Sequence, residues 1–210
     1  MPDMYVFPGG RISADDHRPW PRDWGRGESR GGEATRAPSL PAHVARAALR
    51  ETFEETGLLI GDRAVAAASE SPPDDPMALA YRAAGLVPAL DQLRYVGRAI
   101  TPPSSPMRFN TCFFHADGTQ VIAAGTASGE LDDLHWRALD AIDALKMAKV
   151  SRFMLERAAA LHGGMASSAA PLYRWVRGAV RIGPDPYLLR SGVANGRPSS
   201  ARRLSQGQGR

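Results

Sequence analysis

An α/β sandwich with a mixed sheet is the fold the sequence predicts, and three observations predict it. A long amphipathic helical pattern ends in a glycine at 41–57, several short β-prone runs follow between residues 93 and 124, and a second amphipathic pattern runs from 151 to 163. Helices and strands mixed in this order call for layers of both kinds rather than for a helical bundle or an all-β barrel.

Taken in order, Met4 to Phe7 is apolar and runs into Pro8-Gly9-Gly10, the pattern of a short strand ending in a tight glycine turn. Residues 13–40 carry Pro19, Pro21 and Pro38, a spread of glycines, and Trp20 and Trp24 among charges, and are expected to form an inserted surface loop. Pro41 to Thr56 sets Ala45, Ala48, Leu49 and Thr52 at helical spacing, and Gly57 with Leu58 has the form of a helix-ending glycine and its apolar partner. A shorter helix is expected at 76–84. Strand-like runs follow at 93–100, 109–115 and 120–124, with Asp117-Gly118 as the turn between the last two, and another at 134–139. Ser151 is placed to cap a helix whose Met154, Leu155, Ala158 and Leu161 share a face before Gly163 stops it. No internal repeat breaks the order, so residues 1–189 read as one domain.

A chain of 210 residues, 43% hydrophobic and 23% charged, suffices for one sizeable core. No run approaches the roughly 18 apolar residues of a membrane span, and the first residues lack the basic-then-apolar pattern of a secretory signal. A cytoplasmic location without a membrane partner is therefore expected. The formal charge of +4 belongs to the end of the chain: Arg190, Arg197, Arg202, Arg203 and Arg210 lie in a stretch without Asp or Glu, and removing those five leaves the body near −1. Residues 190–210, rich in Gly, Ser, Asn, Gln and Arg, are expected to be a disordered basic tail, and general nucleic-acid binding is not expected. Cys112 is the single cysteine. Between Thr111 and Phe113 it reads as a small buried hydrophobe rather than as a nucleophile.

Chemistry is expected on the long helix. In Arg50-Glu51-Thr52-Phe53-Glu54-Glu55-Thr56-Gly57-Leu58 the carboxylates stand at i, i+3 and i+4, and at about 100° per residue all three fall on one face. Such crowding costs a bare helix roughly 0.2–0.5 kcal/mol per neighbouring pair and turns favourable when a divalent cation sits among the oxygens. By itself the spacing fits a solvated acidic helix face at least as well. The histidines at 17, 43, 115, 135 and 162 show no metal-ligand spacing, no serine sits in a G-x-S-x-G elbow, and Gly25 to Gly32 lacks the Lys-Ser/Thr of a phosphate-binding loop. Arg108 and Phe109 suit either a contact to substrate phosphate and base or an arginine and core aromatic at a strand start. Glu130 either reaches the site from a later loop or is a solvated turn glutamate.

What separates these readings is the combination. Arg50, Glu51, Glu54, Glu55, Gly57 and Leu58 match the second half of the Nudix box, G-x5-E-x7-R-E-U-x-E-E-x-G-U with U a bulky aliphatic residue, and Tyr5-Val6-Phe7-Pro8-Gly9-Gly10 resembles the strand and turn that precede it. The chain thus resembles the Nudix family. Counting back from Arg50, the first glutamate of the box would fall at Ala42 and its glycine at Arg36, so the box is interrupted by the insertion. One branch, similar to the peroxisomal coenzyme A diphosphatases of animals and their bacterial relatives, has a long insertion here and a Met-Pro-x-x-Tyr-Val-Phe-Pro-Gly-Gly lead-in, which Met1 to Gly10 fits. Ile100-Thr101-Pro102 with Arg108 to Phe114, and Gly129-Glu130-Leu131 to Trp136, resemble later runs of that branch, with Asn110 and Cys112 where it has Asp and Arg. Thr52 stands where the box has an aliphatic residue.

The resemblance implies a Nudix α-β-α sandwich with a mixed sheet, here lacking the N-terminal strand or strands that family members place before the glycine turn. It implies Glu51 and Glu55 as principal ligands of magnesium or manganese, Glu54 completing the site or sharing a second ion, one of the three assisting as base, and Arg50 orienting a glutamate, where the plainer reading of Arg50 is a surface arginine paired at i+4 with Glu54. It adds a carbonyl of Gly9 or Gly10 as a further oxygen ligand. The implied reaction is hydrolysis of a small-molecule nucleotide substrate, coenzyme A or acyl-coenzyme A, at its diphosphate. The open alternatives are ADP-ribose, a dinucleotide or capped RNA, or a non-catalytic binding module of the same fold.

Overall fold

Helix α1, Ala42–Thr56, is the element around which the rest is arranged. In the computed structural model, which describes residues 4–18, 40–64, 76–123, 131, 134–164 and 169–186, it turns Ala45 and Leu49 into the core and leaves Glu54 exposed. Gly57 ends it in the left-handed region at φ 68°, its N–H donating to the Phe53 carbonyl at 2.7 Å. An L side chain there would cost about 1–2 kcal/mol, which is why the sequence stops the helix with glycine.

The chain leaves Gly57 directly into strand β1, Leu58–Arg63. Helix α2 (Pro76–Ala83), β2 (Leu86–Pro88), β3 (Arg94–Ile100), β4 (Asn110–His115), β5 (Val121–Ala123), α3 (Lys149–His162), β6 (Pro171–Val176) and β7 (Ala179–Pro184) follow. They build two sheets. One is antiparallel, in the order β2-β1-β5; the other is mixed, in the order β4-β3-β6-β7, with β3 and β6 parallel and its other pairs antiparallel.

Each sheet carries a helix and a core. Leu49, Leu59, Ile60, Met77, Tyr81, Leu86, Leu90 and Leu93 join α1, α2 and the antiparallel sheet in one cluster. At roughly 1.5–3 kcal/mol per fully buried large apolar side chain, this cluster is what fixes α1 in place. Tyr81 joins it without an unmet hydroxyl, because its O–H donates to the Ile60 carbonyl at 2.8 Å. On the mixed sheet, Val96, Met154, Leu161 and Tyr173 pack α3 against β3 and β6.

The expected elements at 41–57, 76–84, 93–100, 109–115 and 120–124 correspond to α1, α2, β3, β4 and β5. Four expectations change. Residues 4–7 form no strand; Tyr5 makes an isolated parallel bridge to Met147, with its N–H on the Lys146 carbonyl at 2.9 Å. Asp117-Gly118 is not a hairpin turn: Asp117 caps a short 3₁₀ turn, Gly118–Gln120, and the chain crosses there from the mixed sheet to the antiparallel one. Residues 134–139 are not a strand, since Leu134, Trp136 and Leu139 are all more than half exposed and a 3₁₀ turn begins at Leu139. Finally, α3 starts at Lys149 behind Ala148, so Ser151 lies inside the helix rather than capping it. The 190–210 tail and most of the 13–40 loop lie outside the described residues.

Candidate active site

The glycine turn and α1 meet face to face. The Gly9 N–H donates to Oε2 of Glu55 at 3.1 Å. A Cβ on Gly10 would overlap the Glu51 carboxylate, so glycine at this position is what lets that side chain come up against the turn. Glu51 and Glu55 are one helical turn apart on α1, and the turn lies across both. The spacing of the glutamates and the position of the two glycines, independent readings from sequence, thus converge on one place.

Arg50 binds this place together. Its Nη2 pairs with Oε1 of Glu51 at 2.8 Å and donates to the Arg11 carbonyl at 2.9 Å, while its Nη1 pairs with Oε2 of Glu54 at 2.7 Å. The remaining edge of the guanidinium grips an aspartate: Nε reaches Oδ1 of Asp16 at 2.9 Å and Nη2 reaches Oδ2 at 3.0 Å. That two-point contact uses the planar fork that distinguishes arginine from lysine. Asp16 is 4% exposed. Burial alone would push its carboxyl up, but the Arg50 hydrogen bonds and the Ser13 N–H outweigh it and hold the group below its ordinary value. Hydrogen bonding to Asp16 likewise raises Arg50, against burial, so the cation is permanent.

Asp16 is the site residue that reading the sequence missed, and the signal for it was available. Counting back from Arg50 lands the acid of the box on Ala42, inside α1; counting forward from Gly10 across five residues lands on Asp16. The interruption therefore falls between acid and arginine, and folding restores the pair.

The donors suit a hard divalent cation, for they are carboxylate oxygens. As arranged, the carboxylates face Arg50 and the Gly9 N–H, and among the described residues no group of three His, Cys, Asp or Glu side chains encloses an ion position.

Arg108 and Phe109 are exposed at the start of β4, where Phe109 is tied to Thr101 through its N–H at 2.8 Å, so Phe109 is not the core aromatic of the alternative reading. Glu130 lies outside the described residues. Burial pushes the Cys112 thiol up to about 11, which leaves it protonated and inert. Histidines 17 and 43 stack with ring centroids 4.1 Å apart, and 115 and 162 meet edge to face at 5.4 Å. Among the described residues no helix is long and apolar enough to cross a membrane.

As a sequence the chain matches no described protein family and no curated protein. As a fold it is similar to the crystal structure of a NUDIX hydrolase from Alicyclobacillus acidocaldarius, with 25% identity and a TM-score of 0.54 over 80% of this chain and 83% of that one. The chain has a Nudix-like fold, and this likeness, together with the glycine turn laid over the acidic face of α1, supports its place among the Nudix hydrolases.

Proposed function

We propose that the chain is a magnesium- or manganese-dependent hydrolase that cleaves the diphosphate bond of a nucleoside diphosphate derivative, with Glu51, Glu54 and Glu55 as the residues that hold the cation. The observation that carries this reading is the Arg50 cluster, in which one guanidinium gathers Asp16, Glu51 and Glu54 beside the Gly9-Gly10 turn. Three glutamates crowded on one helix face are unfavourable for the helix alone and become useful when they bind charge.

When bound, a divalent cation offsets the charge of the phosphoryl oxygens and lowers the pKa of water. The chain's own residues do the rest. Arg50, fixed by Asp16, sets the direction of Glu51 and Glu54, a task in which loss of a supporting group lowers affinity or rate by about 10–100-fold. Gly9 holds Glu55 through its N–H and thereby fixes that carboxylate against the glycine turn. One of the three carboxylates takes the proton of the attacking water on an oxygen. Arg108 and Phe109, exposed together, are assigned to the phosphate and the base of the substrate.

The substrate we assign is coenzyme A or an acyl-coenzyme A, released as adenosine 3′,5′-bisphosphate and 4′-phosphopantetheine. The Tyr5 to Gly10 lead-in and the long insertion, which resemble the coenzyme A diphosphatase branch, support it. Asn110 and Cys112, where the chain departs from that branch, are engaged with Arg98 and Tyr95. The assignment is tested by incubating the chain with coenzyme A, acyl-coenzyme A, ADP-ribose and NADH in magnesium or manganese and identifying products. Preferential release of adenosine 3′,5′-bisphosphate is expected; preference for ADP-ribose or NADH would keep the hydrolase and discard the substrate.

A further inference from the structure

In an uninterrupted box seven residues separate the acid from the arginine. Here Asp16 and Arg50 are 34 positions apart, and the entropy lost in closing a loop grows with its length. Asp16 is nevertheless buried against Arg50, and contacts outside the motif hold it there. Arg46, itself buried, donates its Nε to the backbone carbonyl of Asp16 at 2.7 Å. His17, the next residue, lies on His43 of α1 with the ring planes 33° apart. Ser13 closes the short turn from within, its N–H on Oδ2 of Asp16 at 2.7 Å. Residues 43, 46 and 50 share one face of α1, so the segment is fastened along about two turns of the helix.

We propose that Arg46 and the His17–His43 pair are positioning residues that take the place of chain continuity in this interrupted motif, holding Asp16 on Arg50 and Arg50 on the glutamates. The consequence for turnover rests on the hydrolase reading above; the docking of residues 13–18 on α1 does not.

The pair gives the arrangement a pH signature. Burial, then His17 and Arg46, hold His43 below its ordinary value of 6.5 against the opposing pull of Asp16; these are the groups that face it from the docked turn and from α1. The docked segment therefore binds a proton on His43 less readily than the released one does. The contribution of His43 to docking is therefore full above pH 6.5 and declines as pH falls below it through the lowered value.

The test is backbone amide exchange in the full chain at about pH 7.5 and about pH 5.5, corrected for intrinsic rates, with α3 as internal reference. Arg46→Gln is expected to lose protection at 13–18 at both pH values while α3 keeps its own. Wild type is expected to be less protected at the lower pH than at the higher, whereas His43→Gln, which breaks the ring pair, is expected to be weakened at both and to show no such pH difference. Should Arg46→Gln fail to fold, His17→Gln, an exposed substitution, is expected to weaken the same segment. In hydrolysis assays the variants should lower kcat and leave KM in place. Full protection of 13–18 in both Arg46→Gln and His17→Gln, or an undiminished pH effect in His43→Gln, would overturn the inference. Lost docking in variants of a chain that hydrolyses no diphosphate at all would support the positioning role and refute the hydrolase reading instead.

Discussion

Two arginines of this protein each grip an aspartate with two-point geometry, and their surroundings give them opposite meanings. Arg98, on β3, meets Asp185, just beyond β7, through Nη2 at 2.6 Å and Nε at 3.1 Å, and the Tyr95 hydroxyl donates to the same carboxylate at 2.7 Å. Asp185 has no exposed side-chain surface. Burial, then Cys112 and Asp185, push the Tyr95 hydroxyl up, so it stays a donor. Around Arg50, by contrast, three carboxylates face one guanidinium, and the Glu54 side chain is half exposed. A sealed pair seats the end of one sheet; an open, acid-rich cluster has charge left for a ligand. The arginine–aspartate contact does not mark a functional site; the imbalance of charge and the access around it do.

The comparison breaks most visibly at Asp185. Truncating it to alanine strands a buried guanidinium, and a loss of about 3–5 kcal/mol in unfolding free energy is expected from denaturant titration, with activity per folded molecule unchanged. Next in size, Glu55→Gln should lower hydrolysis by about a hundredfold or more, roughly 2.7 kcal/mol in the barrier, and leave the melting temperature within a few degrees. Asp16→Ala is expected to lie between these behaviours. It should cost about 10–100-fold in kcat through Arg50 and lower stability as well, because Arg50 keeps Glu51 and Glu54 but loses its buried partner, and Asp16→Glu should recover part of both.

The smallest effect sharpens the contrast through pH. The Asp16 carboxyl is held below its ordinary 3.8, so its stabilising contribution is full above that value and is lost only as pH falls through the lowered one. Acid titration of stability in wild type and Asp16→Asn should therefore run parallel above pH 4 and converge only as pH falls through the lowered Asp16 value. A difference that already shrinks near pH 6 would contradict the buried pairing.

Helix α1 and its glutamates were legible in the sequence because their signals are local: a 3.6-residue apolar period, a stopping glycine and a carboxylate spacing that survives any fold. Asp16 is legible only by counting forward from Gly10, because its partner lies 34 positions away and the insertion spoils the count back from Arg50. Strands β6 and β7 went unread for a related reason. Their alternation, Tyr173-Arg174-Trp175 and Val180-Arg181-Ile182, is short, and the two-residue turn between them, Arg177-Gly178 at φ 50° and 78°, opens with a residue that does not announce a turn. Residues 134–139 erred the other way: an apolar composition met no neighbouring strand, and sheet membership is decided by neighbours. Where the signal was the pairing of distant groups, as with Arg98 and Asp185, only the folded chain carries it.

The most direct test of the claim that the acidic face of α1 holds a divalent cation is a manganese titration of the full chain followed by electron paramagnetic resonance, in wild type and in Glu55→Gln. Saturable binding by wild type that weakens by about tenfold or more in the variant is the expected result. Binding that Glu55→Gln leaves untouched, or a folded wild-type chain that takes up no manganese, would contradict it.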